Sequence, residues 1–228
     1  MLTIGMLGGM SWESSAEYYR LVNELVRERL GGLHSAHCVL YSVDFAEVEE
    51  MQVAGRWDDA GKLLAAAAAK VEAAGADLLL LCTNTMHKVA DEVQQAIGIP
   101  LVHLGDTTAD AVKKAGLSRV GLLGTGFTME QDFYRGRLES HGLTVLVPNA
   151  EDRATVHRII YDELCLGIVR DSSRAAYQEV IGRFDGAEGI ILGCTEIELL
   201  IKPDDCPLPT FPTTRLHVEA AVELALRG

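Results

Sequence analysis

Two of the five cysteines stand where chemistry could use them. Cys82 follows the apolar run Asp77–Leu81, and Cys194 follows the run Gly189–Leu192 by one glycine. Thr83-Asn84-Thr85 comes after the first and Thr195-Glu196 after the second. A thiol has an ordinary pKa of about 8.5 that its surroundings can tune toward neutrality. Ionised sulfur is also weakly hydrated, so burying it costs less than burying a carboxylate. Two thiols on opposite walls of a site could form a disulfide. They could also take a proton from one face of a carbon and return one to the other face. The full set, Cys38, Cys82, Cys165, Cys194 and Cys206, is odd in number, widely spaced and free of C-x-x-C. That pattern reads as free thiols in a reducing compartment and disfavours zinc. Taken singly, a cysteine is more often a small core hydrophobe. The matched settings of Cys82 and Cys194 separate them from the rest.

The flanking residues suit an anion. Hydroxyls, an amide and backbone N–H groups at the start of a helix would hold a carboxylate and lower a thiol pKa. Ordinary helix capping accounts for the same Thr and Asn residues. Gly8-Gly9-Met10-Ser11 and Gly124-Thr125-Gly126 are expected to add amide donors. Neither is a G-x-G-x-x-G, and neither carries a P-loop lysine, so nucleotide binding has little support. His87, five residues after Cys82, either faces the site or satisfies a backbone carbonyl. His34, His37, His141, His157 and His217 lack ligand spacing, and no metal is expected. Trp12 and Trp57 read as partial core, with Trp12 a candidate wall of the site.

The elements that must position these groups alternate. Ile4–Leu7 runs into a Gly-Gly pair, and Ser14 stands three residues before Glu17, a capping-box spacing. Tyr18, Leu21, Val22, Leu25 and Val26 have helical period. Strands are expected at Cys38–Val43, Asp77–Leu81, Ile99–Leu104, Val120–Leu123, Leu143–Val147 and Gly189–Leu192. Helices are expected at Asp58–Ala74, from after Thr85 to Ile97, at Thr107–Ala115, from after Gly126 to Leu138, at about 152–166 and 172–183, and at about 214–226. Such alternation argues for an α/β fold with parallel sheets.

The two halves also echo each other. Ile4-Gly5-Met6-Leu7-Gly8 aligns with Val120-Gly121-Leu122-Leu123-Gly124, and Leu80-Leu81-Cys82-Thr83 with Leu192-Gly193-Cys194-Thr195. Pro100…Thr107-Thr108 is echoed by Pro209…Thr213-Thr214. A diverged duplication predicts two similar lobes with the site in the cleft between them. The expected boundaries are 1–104 and 105–213, with the helix at about 214–227 packing back on the first lobe.

With 228 residues, 48% of them hydrophobic, the chain can bury one large or two small cores. A net charge of −13 is a poor match for nucleic acid or an anionic membrane surface. No apolar run approaches the roughly 18 residues that span a bilayer. Met1–Gly5 reads as the start of a strand rather than a leader. A soluble, cytoplasmic protein is expected, with no nucleic-acid or membrane partner.

Gly8-Gly9-Met10-Ser11-Trp12-Glu13-Ser14, Cys82-Thr83-Asn84-Thr85-Met86-His87 and Gly193-Cys194-Thr195-Glu196-Ile197 resemble the three signatures of the aspartate/glutamate racemase family. Asp44-Phe45…Gln52…Trp57 is similar to its broad-specificity amino-acid racemase branch. The resemblance covers essentially the whole chain. It implies two Rossmann-like lobes related by a pseudo-twofold axis, no cofactor, and a homodimer. It makes Cys82 and Cys194 the two bases and puts Met10, Gln52, Asn84, Thr85 and Thr195 among the substrate contacts, beside Thr83, Thr125 and Glu196 from the reading above. The chain departs from the family at Pro212, where an Asp is usual. It also reads Glu47-Val48-Glu49 where archaeal-type aspartate racemases place an arginine. The expected activity is racemisation of a free amino acid, aspartate, glutamate or broader, by two thiols. The alternatives are a cis–trans isomerase of a small dicarboxylate, with one cysteine adding to the alkene, and a two-lobed binding protein without turnover.

Overall fold

Apolar runs without polar alternation form the central strands of two parallel sheets. The computed structural model describes every residue from Met1 to Gly228. The first half runs β1 (Ile4–Gly8), α1 (Trp12–Leu30), β2 (Cys38–Ser42), α2 (Phe45–Val53), α3 (Trp57–Ala73), β3 (Leu78–Leu81), a 3-10 turn at Thr85–Val89, α4 (Ala90–Gln95) and β4 (Leu101–Val102). The sheet order is β2-β1-β3-β4, all parallel, with Ile4 opposite both Cys38 and Leu78. β1 and β3 are buried at every position because helices cover both faces, whereas the edge strand β2 is half exposed.

Alternate residues of the same strands feed two separate clusters. Ile4, Met6, Leu78 and Leu80 pack with Tyr18, Leu21, Val22 and Leu25 of α1. Leu7, Leu79 and Leu81 point the other way, onto Ala60, Leu64, Ala67, Ala68 and Val71 of α3. The alanines let α3 lie close to the sheet. Each fully buried Leu contributes about 2 kcal/mol, so the bare leucine run of β3 is the main anchor of this half.

The second half runs α5 (Leu104–Lys114), β5 (Arg119–Gly124), α6 (Gly126–Glu130), α7 (Asp132–Ser140), β6 (Thr144–Leu146), α8 (Ala150–Asp162), a 3-10 turn at Leu164–Leu166, α9 (Asp171–Gly182), β7 (Gly189–Gly193), α10 (Ile197–Leu200), a 3-10 turn at Pro203–Asp205, β8 (Thr210–Pro212) and α11 (Thr213–Arg227). Its sheet order is β6-β5-β7-β8, again parallel, the same order as the first. The chain forms two compact units, Met1–His103 with His217–Gly228, and Leu104–Leu216. Within the first unit, His217 of α11 is fully buried; its Nε2–H donates to the Val102 carbonyl at 2.6 Å and its Nδ1 accepts from the Tyr18 hydroxyl at 2.8 Å.

Several elements differ from the sequence expectation. β4 has two residues rather than six, because Pro100 brings no N–H and α5 already starts at Leu104. The helix expected after Thr85 begins as a 3-10 turn, and the one expected after Gly126 is divided into α6 and α7. α2 has no helical signature in the sequence, since only Val48 and Gln52 of it are buried, too few to make a periodic stripe. β8 is a strand beyond those expected, a three-residue edge strand that ends at Pro212, the kind of place where a sheet tolerates proline. Ser14 is not a cap. α1 starts at Trp12, and Ser11, in extended conformation, caps it by accepting from the Ser14 amide at 3.2 Å.

Gly9 holds the turn after β1 at φ +94°, and a Cβ there would lie 2.2 Å from the Val43 carbonyl oxygen. Gly9→Ala combines left-handed backbone with a backbone clash. A loss of at least about 2 kcal/mol is expected, read as a lowered urea midpoint. An unchanged midpoint would show that the turn can shift.

Candidate active site

In a sheet of order 2-1-3-4, the chain reverses direction of growth between the first and third strands. The crevice outside the carboxyl ends of those strands is where open α/β sheets bind ligands. In the first unit that point is flanked by Gly8-Gly9-Met10 after β1 and Cys82-Thr83 after β3. In the second unit Thr125-Gly126 after β5 and Cys194-Thr195 after β7 occupy the matching places.

Cys82 is fully buried, and its backbone is held from two sides. Its amide donates to Leu7 O at 2.9 Å, and its carbonyl accepts from the Ser14 hydroxyl at 3.1 Å. Thr83 O accepts from His87 Nδ1 at 2.7 Å, so His87 satisfies a backbone carbonyl and carries its proton on that nitrogen. Thr83, Asn84, Thr85 and Met10 are buried around this turn. Gln52 reaches Met86 Sδ through its amide Nε2 at 3.0 Å. Met86 belongs with Met10, Val48 and Leu81 to one apolar cluster.

Cys194 is buried in the second unit and donates its S–H to Glu196 Oε2 at 2.9 Å. The other carboxylate oxygen of Glu196 lies 3.9 Å from Cys165 Sγ. Thr195 Oγ1 accepts from the Thr214 hydroxyl at 3.0 Å, and Thr213 Oγ1 donates to Leu192 O at 2.9 Å. Thr125 caps α6, accepting from the Thr128 amide at 3.3 Å.

Four expectations are corrected here. The thiols are not lowered. Burial pushes Cys82 well up; burial, then the Glu196 charge and Cys165, push Cys194 well up too. The helical turns after the cysteines have only five and four residues, too short to offset desolvation with a macrodipole. Two of the glycine amides expected as ligand donors already bond within the protein: Gly9 N–H to Ser15 Oγ at 2.7 Å, and Gly126 N–H to His157 Nδ1 at 3.0 Å. Trp12 is 68% exposed and no part of the core, while Trp57 is half buried under the Lys88 ammonium, 4.1 Å from its ring centroid. Asn84 and Glu196 occupy helix-start positions without capping through their side chains.

The sequence profile of Asp/Glu/Hydantoin racemase matches residues 7–221. The chain belongs to this racemase family. The broad specificity amino-acid racemase RacX of Bacillus subtilis (strain 168) is 26% identical over 228 residues, 98% of each chain. A crystal structure of an aspartate racemase homologue from Pyrococcus horikoshii OT3 is 36% identical, with TM-score 0.87 over 99% of this chain and 100% of that one. A Yersinia pestis structure, provisionally described as an Asp/Glu racemase, is 52% identical, with TM-score 0.92 over 99% and 100%. The aspartate racemase of Picrophilus torridus, 19% identical, shares the fold, with TM-score 0.80 over 99% of this chain and 94% of that one. No helix of this racemase is long and apolar enough to cross a membrane.

Ser14, Thr214, Cys165 and His157 support this racemase's candidate site and were not singled out for it in the sequence. Thr214 had a signal, the repeated Thr-Thr pair. The first copy differs in what precedes it: Asp106 takes Arg137 at 2.6 and 2.7 Å and His141 at 2.8 Å, and Pro212 in β8 can do neither.

Proposed function

We propose that this racemase interconverts the enantiomers of a free amino acid without a cofactor, using Cys82 and Cys194 as acid–base groups for opposite faces of the α-carbon. The observation that carries the reading is the matched place of the two thiols. Each stands directly after the central strand that flanks the switch point, in two sheets of identical strand order.

Both thiols are protonated in the unliganded protein, since burial raises both. One must become a thiolate before it can take an α-proton. Glu196 distinguishes them: its carboxylate already accepts the Cys194 S–H. Cys194 passes that proton to Glu196 and, as thiolate, removes the α-proton from its face. Cys82, still a thiol, delivers a proton to the other face and is left as thiolate. One forward turnover thus ends with Cys82 thiolate, Cys194 thiol and protonated Glu196, the state from which the reverse reaction starts; between forward turnovers Glu196 loses its proton to solvent and Cys82 regains one from it. Charge developing on the substrate carboxylate is met by hydroxyl and amide donors, for which Thr83, Asn84, Thr85, Thr125 and Thr195 are the candidates. Thr214 donates to Thr195, which turns Thr195 toward acting as a donor. Met10 and Gln52 are the further candidates for substrate contacts. The same reading includes a homodimer working in the cytoplasm.

The test is the isotope pattern in D₂O. Each thiol returns a proton only to its own face, so the product enantiomer should carry solvent deuterium at the α-carbon while recovered substrate stays protonated. Mass spectrometry of both enantiomers at low conversion reads this directly, for aspartate, glutamate and neutral amino acids. Substrate hydrogen retained in the product would reject two bases. No exchange with any amino acid would favour the dicarboxylate isomerase.

A further inference from the structure

The Gly126 amide is the first N–H of α6, immediately after Thr125, and it donates to Nδ1 of His157 on α8 at 3.0 Å. A backbone N–H can only donate, so Nδ1 must carry a lone pair. An imidazole nitrogen does so only in the neutral ring, whose proton then sits on Nε2. The ring lies close enough to the turn that a methyl on Gly126 would meet Nδ1 at 3.4 Å. Tyr161 packs on the ring at 4.8 Å between centroids, and Phe127 meets it edge-on at 6.2 Å. Phe127, Glu130, Gln131 and Arg153 line, with His157 and Gly126, an open cavity of about 350 Å³ that gives protons access to the ring.

We infer that His157 is a positioning residue that holds the Thr125–Gly126 turn only while it is neutral, so that acid loosens this wall of the substrate site. The inference rests on the reading of Thr125 as a substrate contact. Protonation places an N–H on Nδ1 facing the Gly126 N–H. Two donors then confront each other, the hydrogen bond is lost, and the turn after β5 must move or the ring must rotate.

The surroundings favour the neutral ring at pH 7. Burial lowers the His157 pKa from its ordinary value, opposed by the charges of Glu130 on α6 and Asp162 on α8. The other charged or titratable groups on the elements packed against it are Glu151, Asp152, Arg153, Arg158 and Tyr161 on α8, Asp171, Arg174, Tyr177 and Glu179 on α9, Cys165 on the 3-10 turn at Leu164–Leu166, and Arg119 at the exposed start of β5. Arg153 is itself paired with Glu130 at 2.9 Å. The hydrogen bond is therefore complete at neutral pH and is lost as pH falls through a His157 pKa lying below about 6.5.

Two measurements test this on the whole chain. In heteronuclear NMR spectra between pH 7.5 and 5, the Gly126 amide should shift with the same midpoint as the His157 ring. In racemisation assays over the same range, kcat/KM should fall about fivefold, the worth of one ordinary hydrogen bond. His157→Asn, whose Oδ1 can accept from Gly126 without titrating, should lack that acid limb. A Gly126 amide indifferent to His157 titration, or an acid limb with the same midpoint in His157→Asn, overturns the inference. A Gly126 titration in a protein that racemises nothing upholds the His157 contact and rejects the function it was read to serve.

Discussion

Replacing either Cys82 or Cys194 by serine is expected to lower racemisation in both directions by at least about a hundredfold, the lower end of what a positioned acid–base group contributes. Serine nearly matches cysteine in size, so both buried positions should keep their packing. What it loses is acidity: a hydroxyl cannot be ionised by Glu196 or exchange a proton with an α-carbon at neutral pH. Because each enantiomer needs one thiolate and one thiol, a single replacement disables both directions. The measurement is kcat by chiral chromatography from each pure enantiomer, with circular dichroism to show that the fold is kept. A near-normal kcat in either variant would end the two-base assignment and leave one cysteine as packing.

The second large effect is on stability in mild acid. His217 is fully buried, and burial lowers its pKa from 6.5 to about 4 despite the hydrogen bond to Val102. An unfolded chain protonates this residue near 6.5, whereas the folded chain keeps it neutral until about 4. The unfolded state therefore binds the extra proton between these values. Stability from this residue is whole above pH 6.5 and falls steadily to pH 4, by about 3 kcal/mol in all. Glu188 and Asp205, whose pKa values are lowered by backbone N–H donors, titrate below the ordinary carboxylate range and act at still lower pH. Urea unfolding at pH 7.5 and 4.5 should show the fall. His217→Gln, which can still donate to Val102, should flatten it. An equal slope in that variant would place the effect elsewhere.

The central strands, the alternation of elements and the two matched cysteines were all legible in the residues, because each depends on local pattern. A leucine run such as Leu78–Leu81 can only be satisfied between two covering layers, and a glycine pair after a strand marks a turn. The racemase signatures lie at those strand ends, so the family was legible too. What tertiary structure decided were properties set by partners far along the chain. Ser14 looks like a cap beside Glu17, yet its hydroxyl serves Cys82, 68 residues away. His217 and Val102, 115 residues apart, meet only when α11 returns to the first sheet. His157 meets Gly126 across 31 residues and removes an amide that local reading assigned to a ligand. The thiol pKa values followed the same rule. Neighbouring helix starts suggested lowering them, but burial raises both, and the Glu196 charge adds to the rise at Cys194. Secondary structure and motif position follow from short-range periodicity, whereas hydrogen-bond partners and desolvation are sums over everything the fold brings near.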